Sequence, residues 1–79
     1  MHLTQDLYLA ASLMTAGHRL KDVAHEGRRA TFVFEDSPAL RETVTTYFAG
    51  GLALDARALS ETVRSLKGAA MAGTPATSR

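Results

Sequence analysis

Apolar residues near the start of the chain recur at helical spacing. Leu7, Ala10, Ala11 and Met14 fall at i, i+3, i+4 and i+7, and Leu9, Leu13 and Ala16 widen the arc well beyond a narrow stripe. This pattern predicts a helix entered through Thr4, whose hydroxyl would accept from an otherwise unpaired backbone N–H, with Leu3 and Tyr8 spaced as a hydrophobic staple. Gly17 is the expected stop, because glycine takes the left-handed backbone of a helix end at little steric cost. An arc this wide calls for burial on more than one side or for contact with a partner. Leu9 and Leu13, off the main line, are therefore candidate contacts for self-association or for a protein partner, since small domains gain stability by pairing.

Between Gly17 and Ser37 the period becomes alternating. In RATFVFE, Ala30, Phe32 and Phe34 share one face while Arg29, Thr31, Val33 and Glu35 share the other, as a half-buried strand requires. The preceding HRLKDVAH reads as a weaker strand: Leu20 and Val23 have opposite parity and reach one core together only through a bulge. His25-Glu26-Gly27-Arg28 supplies the expected turn, with Gly27 free to take positive φ. Ser37-Pro38 then reads as a helix start, serine capping and proline filling the first helical position. Leu40, Val44, Tyr47 and Phe48 follow on one face, and Gly50-Gly51 closes the helix.

Leu52-Ala53-Leu54 is too short to classify, though it would serve as a third, edge strand. Asp55 caps a last helix, ARALSETVRSLK, with Leu59, Val63 and Leu66 inward and Arg57, Glu61 and Arg64 in solvent. Gly68 is expected to end it. The pattern as a whole predicts one α+β domain over residues 1–67, ordered αββαα, with an antiparallel hairpin packed on helices, and a disordered tail over 68–79. The expected core joins Leu7, Ala11, Met14, Leu20, Phe32 and Phe34 to Leu40, Val44, Tyr47, Phe48, Leu59, Val63 and Leu66.

Composition narrows the functional classes. A chain of 79 residues makes one domain that buries only about 60% of its unfolded surface, which leaves little room for a deep pocket. The absence of cysteine excludes disulfides and cysteine-based zinc sites and permits a reducing, cytoplasmic setting. MHLTQDLYLAASLM has no cluster of positive charge and carries Asp6 within its apolar region, and no apolar run would cross a bilayer, so neither a signal peptide nor a membrane span is expected. Nine Lys and Arg against eight Asp and Glu argue against a general polyanion binder but leave room for a local basic patch.

The candidate chemistry is thin. Glu35 and Asp36 are adjacent on extended backbone and point to opposite faces, so they do not converge on one substrate, whereas negative charge just before a helix is favoured by its dipole. Gly50-Gly51 follows a helix and lacks the Lys-Ser/Thr of a phosphate loop. His18, Asp22 and His25 match no metal-ligand spacing. With no nucleophile–base pair, cofactor loop or metal set, the expectation is a protein that is not an enzyme and uses no cofactor or metal. The hairpin does concentrate Arg19, Lys21, Arg28 and Arg29, relieved by Asp22 and Glu26, and these four are candidate nucleic-acid contacts. The competing view is a solvated face that blunts an edge strand, because Phe32 and Phe34 lie on the core side and leave no base-stacking ring among the charges.

DLYLAASLMTAGHRLKDV, then RRATFVFEDSPAL, YFAGG and a closing SLK together resemble a small bacterial and phage-associated domain family of unknown function. The resemblance spans residues 4–67, and Phe-Val-Phe-Glu-Asp is its most specific part. It implies no activity that transfers residue by residue; its association with mobile elements implies at most an accessory role in host takeover, anti-defence or DNA handling. The expectation is a non-catalytic module acting by protein–protein contact in the cytoplasm, with a nucleic-acid accessory protein using the basic hairpin as the alternative.

Overall fold

The alternating and helical periods become strands and helices in the computed structural model, which describes residues 1–72. Their order is β1 (His2–Thr4), α1 (Leu7–Thr15), β2 (Leu20–Glu26), β3 (Arg29–Phe34), α2 (Pro38–Ala49) and α3 (Ala56–Ala72). The α+β class and the antiparallel hairpin stand as expected, with one strand added at the front.

That strand changes the sheet. β3 is central in the order β1-β3-β2, antiparallel to both neighbours. The extra strand is β1, pairing Leu3 with Val33, rather than Leu52-Ala53-Leu54, which forms no strand. Leu52 and Leu54 instead half-bury against Tyr47 and Leu59 in a cleft of about 310 Å³. The parity conflict in β2 is resolved by a register shift between Leu20 and Asp22, which lets Leu20 oppose Phe34 and Val23 oppose Phe32. The hairpin turn is tighter than expected: His25 and Glu26 remain in β2, and Gly27-Arg28 alone make the connection. Gly27 takes φ +62° at the first turn position and Arg28 has no positive φ, the pattern of a type II′ turn.

With Thr4 engaged in β1, the helix cap moves to Asp6. Its Oδ1 accepts from the backbone N–H of Tyr8 (2.9 Å) and Leu9 (3.2 Å), while Thr4 Oγ1 accepts from Asp6 N–H (3.1 Å). The expected staple does not form; Leu3 and Tyr8 are both exposed. At the other end Gly17, at φ +105°, gives its N–H to the Met14 carbonyl while His18 N–H goes to Leu13, a paired closure that satisfies two orphan carbonyls.

Phe32, Phe34, Leu9, Ala10, Ala11, Leu13, Leu40 and Leu66 form the buried core, so the helices cover one face of the sheet and leave the other to solvent. Leu9 and Leu13 are 4% and 0% exposed, which corrects the expectation that they meet a partner. α1 is wedged between the sheet and the other two helices, so its wide apolar arc is consumed within the chain. Phe48 is the reverse case: expected in the core, it is 67% exposed and packs edge-on against Tyr47 with ring centroids 5.2 Å apart. α2 starts as the sequence indicates, Ser37 Oγ accepting from Leu40 N–H (3.0 Å).

Asp55 Oδ2 accepts from Ala58 N–H (2.8 Å) at the start of α3, which then runs through Gly68 instead of ending there. An interior glycine costs a helix about 1 kcal/mol relative to alanine, and beyond it Ala70 packs onto the core. Of the expected tail, residues 68–72 are helical and 73–79 lie outside the described residues. Among the described residues no helix is long and apolar enough to cross a membrane.

Candidate binding groove

The four hairpin cations do not form one patch. Arg19 and Lys21 flank the first residue of β2, Arg28 lies in the turn and Arg29 opens β3; at about 3.3 Å per residue the two pairs are roughly 20 Å apart. Asp22 and Glu26 lie between them along the strand, Glu26 in register with Arg29. All four side chains are exposed.

α3 supplies a different grouping. Its last turns pass beside the hairpin, and Lys67 comes to line the same groove as Arg28 and Arg29. The groove encloses about 390 Å³; Gln5 joins the cations, and Leu7, Ala30, Ala70 and Met71 supply its apolar surface above the buried Phe32. Gln5, between β1 and α1, ties the rim together: Arg29 donates to its Oε1 at a long 3.5 Å, and its Nε2 donates to Thr31 Oγ1 at 3.4 Å. None of the three cations is in an ion pair among the described residues, where Asp36 with Arg41 (3.3 Å) is the pair formed.

The two histidines grouped with Asp22 in the sequence are engaged separately. His25 Nε2 lies 3.1 Å from the Ala70 carbonyl; a carbonyl only accepts, so the ring carries its hydrogen on Nε2 and fastens the end of α3 to the hairpin. His18 Nε2 lies 3.0 Å from Thr43 Oγ1, whose own hydrogen goes to the Ala39 carbonyl (3.0 Å), so His18 is again the donor. His18 shares a recess of about 260 Å³ with Glu35, Asp36 and Ser37. There Ser37 Oγ serves as the α2 cap, Asp36 pairs with Arg41, and His18 turns to Thr43, so these groups act as a structural seam.

Of the residues lining this groove, sequence reasoning singled out Arg28 and Arg29, as nucleic-acid candidates, and did not point to Lys67, Gln5 or Met71. A signal for the extension of α3 was present: the line Leu59, Val63, Leu66 continues at Ala70, one step past the glycine read as a stop.

Fold and groove together define a small α+β domain with a cationic, apolar-floored groove at the end of its sheet. The chain belongs to the family described as Domain of unknown function (DUF5659), whose model matches residues 1–72. No curated protein and no solved structure matches it.

Proposed function

We propose that the protein is a non-catalytic binding module that acts by protein–protein contact, with the groove between the hairpin turn and the end of α3 as its docking surface. The observation that carries this reading is the convergence of Arg28, Arg29 and Lys67, from two distant parts of the sequence, around apolar side chains. Such a surface offers apolar area for affinity and a charged rim for orientation and approach. A cytoplasmic setting in a bacterial or phage context belongs to the same proposal and rests on the cysteine-free sequence and the resemblance described above.

The second reading is a nucleic-acid accessory protein, and the exposed arginines of the hairpin favour it. Two observations weigh against it. The cations divide between the two ends of β2, and Phe32 and Phe34, at 2% and 0% exposure, offer no ring for base stacking. Fluorescence anisotropy of a labelled duplex and a labelled single strand, from low to physiological salt, separates the two. The protein-binding reading predicts no binding of either at low salt. Salt-sensitive binding that disappears in an Arg28→Ala/Arg29→Ala variant would overturn it.

A further inference from the structure

Resting on that reading, we infer that the groove takes a linear protein segment bearing carboxylates beside a single aliphatic or aromatic side chain. Charge selects this occupant. The groove is lined by three cations and no carboxylate. Of the acids close to these residues in sequence or register, Asp6 accepts two backbone N–H groups at the start of α1, and Glu26, opposite Arg29 in the hairpin, makes no ion pair with it among the described residues. The residues that follow α3 in the sequence, 73–79, contain no Asp or Glu, so they do not supply the complementary charge.

Arg28 and Arg29 present planar forks that suit carboxylates bidentately, and Lys67 adds a point charge from the α3 side. The floor calls for an apolar anchor. Ala30 and Ala70 leave a recess between β3 and α3, and Met71, 66% exposed, gives it an adaptable wall. His25 acts as a positioning residue: its bond to the Ala70 carbonyl fixes α3 against the hairpin and so fixes the width of the recess. A nucleic acid would satisfy the cations but leave the apolar floor unused.

The test is a synthetic array of peptides about six residues long that vary independently in net charge and in the presence of one Leu or Phe, probed with the labelled full chain. The same array is probed with Arg29→Ala/Lys67→Ala and with Ala70→Leu, each checked for an intact thermal transition. Wild-type signal should rise with carboxylate number and require the apolar residue. The double variant should lose about tenfold or more of that signal, and Ala70→Leu should lose the preference for an apolar side chain. Apolar peptides bound without regard to charge, and blocked by Ala70→Leu alone, would overturn the acidic specificity while leaving a protein-binding groove. Binding of no peptide class would overturn both this inference and the protein-contact reading beneath it.

Discussion

Phe34 ends the central strand of the sheet, opposite His2 on one side and Leu20 on the other, and has no solvent exposure. Its truncation to alanine leaves a cavity that the flanking strands cannot fill, at a cost of about 3–5 kcal/mol, a large share of what a domain of this size holds. Thermal unfolding of Phe34→Ala should therefore show a fall of about 10 °C or more, and a fall of about a degree or less would mean that the strand faces the other way. Phe48→Ala, an exposed change, should stay within about 0.5 kcal/mol of wild type. Alternation made Phe34 legible in the sequence. The fates of Phe48 and Leu13 were not, because helical spacing identifies apolar faces without saying which neighbour will cover them.

Tyr47 adds a prediction in pH. Burial pushes its phenol above the ordinary 10.0, and the nearby Asp6 carboxylate pushes in the same direction. A raised folded-state value favours the neutral phenol in the folded protein. Its contribution is thus fully present below about pH 10 and is lost as pH rises through the folded value. In a Tyr8→Phe variant, where Tyr47 is the remaining tyrosine, phenolate absorbance should reach its midpoint above 10.0. A midpoint at or below that value would contradict the partial burial of Tyr47 on α2.

Among the elements, α3 and the hairpin turn give opposite responses to the same substitution. A Cβ at Gly68 would meet nothing within 4 Å, so Gly68→Ala removes a helix penalty and should stabilise the protein by about 0.5–1 kcal/mol. Gly27 also has open space, but its φ of +62° strains any side chain, and Gly27→Ala should cost more than about 1 kcal/mol. Denaturant unfolding measures both; no gain at Gly68 would indicate that α3 ends before it. The sequence announced the elements whose signals are local, such as the Ser37-Pro38 start of α2 and the bulge forced by Leu20 and Val23. β1 stayed hidden because three residues are too few to show alternation, and its pairing with β3 reaches across most of the sheet-forming sequence. Once β1 claims Thr4, the start of α1 has to move to Asp6.

At the scale of the molecule, the groove exists only because α3 continues past Gly68 and docks beside the turn. Each cation was visible in the sequence, yet their grouping was not: proximity along the chain joined Arg28 and Arg29 to Arg19 and Lys21, while the fold joins them to Lys67, 38 positions beyond Arg29. The most direct test of the groove as the docking surface is a set of two-dimensional amide NMR spectra of the full chain, recorded while an acidic hexapeptide with one central Phe is added. The expected outcome is a set of shifts concentrated at Gln5, Arg28 to Ala30, Lys67, Ala70 and Met71. Shifts centred instead on Tyr8, Phe48 and Leu59, or on Arg19 and Lys21, would place the contact elsewhere and contradict the account.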